Sequence, residues 1–386
     1  MSFNRIIWLG LAFVLITIWA CASIPKPVAP ETKKSPEAAA TSTEKLGWEA
    51  EWERVQREAK KEGKLVLYTT HGPEVRGVIT EALKKYDIPL ETVVGRGPEL
   101  TAKLLRERRA GIYYSDFYLG GVGDLIHAQK PAGILAPLEP LIIIPEVKDP
   151  KFWYKGMLPF VDKDKLIMAI LAYVNDGIHV NTDKVKSGDI NSMQDLLSPI
   201  WKGKIVMDDP TISGRGQLFM AVITNMLGEK YVRQLVRQEP FITRDRVLLI
   251  NWLVTGKYAI ALGIQPEEYQ TYKTAGAPIT NLPLKDISYI GSGAGHLSYY
   301  DQAPHPNASR VFANWLLSRE GQTRLQEIRV TQSARIDTPV EPLIKAGSPV
   351  RQDGKDYYDV RSETWELEMR PKGVEILKEV FSPLVR

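Results

Sequence analysis

Residues 65–119 read LVLYTTHGPEVRGVITEALKKYDIPLETVVGRGPELTAKLLRERRAGIYYSDFYL, and their rhythm decides the fold. Leu65–Thr69 is an apolar run of strand length, and Val75–Tyr86 spaces its apolar residues for one face of a helix. Leu90–Val94 reads as a second strand, Glu99–Ala110 as a helix closed by Gly111, and Asp116–Leu119 as a third strand before a helix over Val122–Gln129. Strands alternating with helices of these lengths predict βαβ units around a parallel sheet.

Upstream, Trp48, Trp52, Val55 and Ala59 share a helical face that Gly63 is placed to end. Downstream, Lys165–Val174 is a long apolar stretch suited to a strand running between two bodies. A second α/β body follows: strands at Lys204–Met207 and Tyr258–Gly263, with helices at Gly216–Leu227, Glu229–Arg237, Val247–Thr255 and Pro266–Thr274. Ile287–Ile290 reads as a strand and Asn307–Ser318 as a helix. Arg329–Asp359 is turn-rich and reads as an extended wrap before a C-terminal helix near Lys372–Phe381. The expected organisation is a first lobe from 46–174 and 288–386 and a second from 175–287.

The 386 residues suffice for two ordinary domains, and 44% hydrophobic with 25% charged residues is near the globular norm. The net charge of +4 is small, and basic residues are interleaved with acidic ones at Arg54–Glu62 and Lys103–Arg109. That pattern offers no basic stripe for nucleic acid. Cys21 is the single cysteine, so an internal disulfide framework and a cysteine-based zinc site are excluded. It follows a charged start and the apolar run Ile6–Ala20, too short for the roughly 20 residues of a spanning helix and suited to a signal peptide over 1–20. Ile18-Trp19-Ala20-Cys21 resembles a bacterial lipobox, although Trp19 stands where a small residue is preferred. That resemblance implies cleavage before Cys21, a lipid on its thiol and an extracytoplasmic protein held to a membrane. The other reading is an uncleaved anchor with an incidental cysteine. Ala22–Lys45, rich in Pro, Ala, Ser, Thr, Lys and Glu, predicts a disordered tether over 21–45.

Four motifs in order carry a wider resemblance. They are the opening helix and strand Trp52–Thr69, the turn Asp208-Asp209-Pro210-Thr211-Ile212-Ser213-Gly214-Arg215-Gly216, the strand Gly256–Gly263, and Ala303–Gln322 with Phe312, Trp315 and Gly321. Across roughly Trp48–Arg335 the chain resembles the solute-binding receptors of bacterial ABC importers that include the ferric-iron, thiamine and phosphonate receptors. The resemblance implies an α/β, type II periplasmic-binding fold: two lobes, two crossover strands and ligand in the cleft between them. It implies a solute and membrane permease subunits as partners, with no cofactor. A monomer that binds no nucleic acid is the matching expectation.

Open parallel sheets hold ligands outside the carboxyl ends of their strands. The loops so nominated are Thr70-His71-Gly72, Arg96 with its flanking glycines, and Gly120-Gly121 in the first lobe. In the second they are Pro210–Gly216, with Thr211, Ser213, Gly214, Arg215 and Gly216, and the stretch Gln265–Tyr269; Arg244 and Arg246 lead into a neighbouring helix and read equally as cleft-facing or as a solvated helix start. Ser213–Gly216 joins a strand to a helix, so backbone N–H groups, a hydroxyl and a guanidinium suit a carboxylate or phosphate. The competing reading is an ordinary turn with an exposed arginine. Tyr269 lies near the place where the ferric receptors carry a tyrosine pair, but Glu267-Glu268-Tyr269-Gln270 holds a single tyrosine. Ferric iron wants several hard anionic oxygens, so a small anionic solute is the preferred expectation and a ferric-ion receptor the alternative. Motifs of metalloproteases, phosphate loops and nucleophile elbows are missing, and Gly291–Gly295 lacks the context of a dinucleotide site. A cleft enzyme on the same fold and a structural lipoprotein remain the alternatives of other classes.

Overall fold

Leu65–Thr69 pairs in parallel with Leu90–Val94 on one side and Phe117–Gly120 on the other, Leu65 opposite Leu90 and Leu67 opposite Phe117. His296–Tyr300 joins antiparallel to Phe117–Gly120, and Leu135–Ala136 and Ile167–Ala169 pair with it in turn. The computed structural model describes the backbone of residues 36–264 and 266–385 and the side chains of 47–264, 268, 269 and 271–385. The expected signal peptide and Cys21 lie outside the described residues.

Alternation along the first strand explains why this sheet is buried on both faces. Leu65 and Leu67 enter a core with Val75, Ile79, Leu83, Phe312 and Leu316, while Val66 and Tyr68 enter another with Leu100, Leu104 and Tyr300. Helices Pro73–Lys84 and Pro306–Leu317 cover one face and Gly97–Arg109 the other.

A second sheet runs Ile279–Pro283, Gly177–Asn181, Ile260–Leu262, Ile205–Asp208, Phe241–Thr243. Its last three strands are mutually parallel and Gly177–Asn181 is antiparallel. Met207, Ile205 and Leu262 pack against helix Arg215–Leu227, and Val206 and Ala261 against helix Arg246–Val254.

Three strands connect the lobes. Tyr173–Asn175 pairs antiparallel with Tyr289–Gly291, and Tyr358–Asp359 adds a third strand, parallel to Tyr289–Gly291; the sequence places the crossovers near Tyr173–Asp176 and Asp286–Tyr289, the second a few residues short of the strand observed. Tyr358 and Asp359 lie in the stretch read as a surface wrap. The segment beyond them does not return to the first lobe: Val360, Trp365, Leu377 and Phe381 join the core of the second sheet. The expectation that all of 288–386 belongs to the first lobe therefore fails for its last quarter, because the apolar face of helix Arg370–Phe381 is buried against Arg215–Leu227. The opening helix also starts earlier than expected. It runs Pro36–Glu62, through part of the stretch read as a disordered tether. Ala38, Ala39, Ala40, Glu44 and Lys45 are good helix formers, and Pro36 stands where a helix tolerates proline.

Candidate functional site

Between the two lobes lies a cavity of about 610 Å3, within the size range of small-molecule sites. One wall comes from loops at the carboxyl ends of first-sheet strands: Thr70, Gly97 and Gly121–Asp124, with His127 a turn further on. The other comes from Ser213, Gly214, Arg215 and Gln217 at the start of a helix. The floor is Gly291–Ala294 and His296, and the C-terminal segment closes the site with Val360, Glu366 and Arg370.

The local sequence explains the Ser213–Gly216 turn. Asp208 ends its strand buried and accepts the Gly216 N–H at 2.8 Å, which holds the helix start against the sheet. A Cβ on Gly216 would come within 2.3 Å of the Asp208 carbonyl oxygen, so only glycine fits. Burial pushes the Asp208 carboxyl above its usual range, against the lowering pull of Arg246, which donates to it at 3.0 Å. Arg215 is itself buried, at 8% exposure, and its Nη1 donates to the Tyr173 hydroxyl at 2.8 Å. That hydroxyl also lies 2.8 Å from where a Cβ on Gly293 would sit, and Gly293 adopts φ +54°. The reading of Arg215 as an exposed turn residue is thereby overturned.

Of the residues nominated from the sequence, Thr70, Gly121, Ser213, Gly214 and Arg215 line the cavity. The others stand behind or beside it. His71 is buried, its Nε2 lies 3.2 Å from the Ala294 carbonyl, and burial with the charge of Arg329 pushes its pKa down to about 3. Gly72 and Arg96 precede helices, and it is Gly97 that reaches the cavity. Gly120 packs over the Tyr118 phenol, where a Cβ would meet the hydroxyl at 2.6 Å. Thr211 donates its N–H and hydroxyl to Asp209 at 2.8 and 2.6 Å. Arg244 donates to the same carboxylate at 2.8 Å, and these bonds, outweighing burial, hold Asp209 below its usual range. Tyr269 is 1% exposed, edge-on to His179, with its hydroxyl donating to the Gly347 carbonyl at 3.3 Å. Gln265 lies outside the described residues.

Several lining residues escaped sequence reasoning. Asp124 carries no ion pair among the described residues, and burial pushes its carboxyl above the usual range. Glu366, 2% exposed, accepts two 2.9 Å bonds from Arg370, which also reaches Gln217 at 3.2 Å. His296 is buried, its Nδ1 sits 3.1 Å from the Gly293 carbonyl, and burial lowers its pKa to about 4. The glycine run at 291–295 was the one visible signal for this floor.

The architecture has solved counterparts. The periplasmic binding protein AfuA from Actinobacillus pleuropneumoniae, with fructose-6-phosphate bound, is similar with a TM-score of 0.63 at 18% identity, covering 83% of this chain and 98% of that one. Iron-bound HitA from Pseudomonas aeruginosa gives 0.62 at 17%, covering 82% and 99%. At such identities the likeness carries the fold alone. An uncharacterized protein of Haemophilus influenzae is 24% identical over 278 residues, 69% of this chain and 77% of that one. The profile of one family matches residues 78–333, about two thirds of the chain, and the protein accordingly belongs to the bacterial extracellular solute-binding proteins.

Proposed function

We propose that this protein is the receptor of an ABC importer, a monomer that captures a small anionic organic solute in the interlobe cleft and delivers it to permease subunits. The observation that carries the reading is buried Arg215 at a helix start, on the wall of a cavity framed by both lobes. A solute touching both walls favours the closed arrangement, because its contacts are complete only there. We further propose that Cys21 carries a lipid holding the body to a membrane; no helix among the described residues is long and apolar enough to cross one.

The ferric alternative has less support. Tyr269 faces the interior, and among the described residues no three His, Cys, Asp or Glu side chains come together as ligands of one ion. Native mass spectrometry of protein purified without denaturation tests the proposal. The expected result is a retained organic acid or phosphate ester, released on unfolding and bound again in calorimetric titration. Stoichiometric turnover of that molecule, or protein that binds no solute from a broad metabolite panel, would overturn the receptor reading.

A further inference from the structure

Behind the cleft, against the connecting strands, lies a second and much smaller cavity of about 30 Å3. Asn175, His179 and Tyr289 line it, and Arg215 lines both this chamber and the cleft. His179 and Tyr289 are more than nine-tenths buried. The Asn175 Nδ2, the His179 Nε2 and the Tyr289 hydroxyl are all buried with no hydrogen-bond partner among the described residues. A dry chamber would leave three such groups unsatisfied, a costly arrangement for buried polar atoms. The chamber is therefore built for something polar.

Its chemistry narrows what that is. The amide of Asn175, the phenol of Tyr289 and the guanidinium of Arg215 all carry donors, and among the described residues no carboxylate lines the chamber. Burial and the nearby charge of Arg215 hold the His179 ring neutral, with its pKa down to about 3. The space suits about two water-sized atoms, and hence the two oxygens of a carboxylate. A carboxylate offers roughly four lone-pair positions to those donors, as two waters would, and adds the negative charge that the Arg215 guanidinium favours.

We propose that this hinge chamber is a carboxylate subsite, in which Asn175, Tyr289 and Arg215 hold the head group of the solute while its body lies in the cleft. The assignment rests on the cleft-receptor reading. It also places the anion contact deeper than the Ser213–Gly216 turn, and on the strands that join the lobes. A head group seated there contacts Asn175 and Tyr289 from the connecting strands and Arg215 from the second lobe, so its occupancy is coupled to the hinge.

The smallest carboxylate, formate, tests it without knowledge of the natural solute. Thermal unfolding is followed against sodium formate at ionic strength held constant with sodium chloride, with formamide as the neutral control. Formate is expected to raise the unfolding temperature saturably and formamide to leave it unchanged. Tyr289→Phe, which removes only the hydroxyl, should raise the half-saturating concentration at least fivefold. Asn175→Ala should do likewise, and serves if Tyr289→Phe does not fold. A response that is absent, unsaturable or unchanged in both variants would overturn the proposal and leave the chamber a water site. If a solute still co-purifies with Tyr289→Phe at wild-type affinity, the chamber assignment fails while the cleft reading stands.

Discussion

The guanidinium of Arg215, at the first turn of a second-lobe helix, donates to the hydroxyl of Tyr173, on a strand connecting the lobes, at 2.8 Å. The guanidinium carbon also lies 5.5 Å from the centre of the Tyr173 ring, within cation–π range. One residue thus serves both the cleft and the hinge.

Tyr173→Phe keeps the ring beside the guanidinium and removes the charged hydrogen bond, which should lower unfolding free energy by about 1–3 kcal/mol. Arg215→Ala should weaken binding of the co-purified solute by about 2–4 kcal/mol, the range for stripping one partner from a desolvated charged pair. Arg215→Lys should recover only part, because an ammonium lacks the planar two-point contact. Urea denaturation and calorimetric titration read the two effects separately. Unchanged affinity in Arg215→Ala would remove this side chain from the site.

Acid should destabilise the fold through buried histidines. His71 and His179 fall to about 3 and His296 to about 4, against roughly 6.5 in the unfolded chain. Their contribution is full above pH 6.5 and is lost as pH falls toward 4 and below, because the unfolded state takes protons that the native state refuses. Each histidine contributes a slope of about 1.4 kcal/mol per pH unit in that window. Asp116, Asp176 and Asp208, raised by burial, act in the opposite sense and offset part of it. His71→Gln should reduce the slope of stability between pH 6 and 4.5 by about 1.4 kcal/mol per unit. An unchanged slope would mean that His71 is protonated in the native state.

How far the site could be read from the chain depends on how local its causes are. Leu65–Thr69 and Leu90–Val94 fall where periodicity puts them, since strand length and apolar content are local signals. The Ser213–Gly216 turn was equally legible, because glycine beside a strand end marks close backbone approach. Val360, Glu366 and Arg370 were not. Trp365–Met369 is a π turn leading into a helix, and Tyr358–Asp359 is a two-residue strand paired far along the chain. Neither leaves a period to detect. The donor character of the hinge chamber was hidden for a similar reason: Asn175, His179, Arg215 and Tyr289 are brought together only by the pairing of Tyr289 with Asn175 and the packing of a helix on the second sheet.

Ferric citrate should not produce a visible phenolate-to-iron band. The Tyr269 phenol is committed to Gly347, and burial pushes its pKa up, which opposes the anionic form that iron requires. Absorption spectra with added ferric citrate check this. A band saturating at one iron per protein would restore the ferric reading.

Processing is tested by labelling. Radiolabelled palmitate should enter the wild type and not Cys21→Ser, if the resemblance at Ile18–Cys21 reflects a lipobox. Equal labelling of both would end the lipid-anchor proposal and leave the solute-binding one intact.

Arg370 and Glu366 set the charge balance of one wall of the cleft. Arg370 lines it but is neutralised by Glu366, which accepts both 2.9 Å bonds and is itself 2% exposed. Glu366 also faces the first lobe, its Oε2 3.8 Å from the His127 Nε2. Glu366→Gln is nearly isosteric and keeps one acceptor oxygen, so Arg370 loses its counter-ion while its Gln217 contact at 3.2 Å remains. The variant should unfold about 1–3 kcal/mol more easily, the usual contribution of a hydrogen bond to a charged group. Its affinity for an anionic solute should nevertheless rise, because the wall gains a positive charge inside a partly desolvated site. For a neutral solute the charge brings no gain, and the loosened wall should weaken binding. Calorimetric titration of wild type and Glu366→Gln with the co-purified molecule, at two salt concentrations, separates the cases. Tighter binding that fades as salt increases supports an anion. Weaker binding at both concentrations is the neutral-solute outcome and would overturn the anionic reading of the cleft.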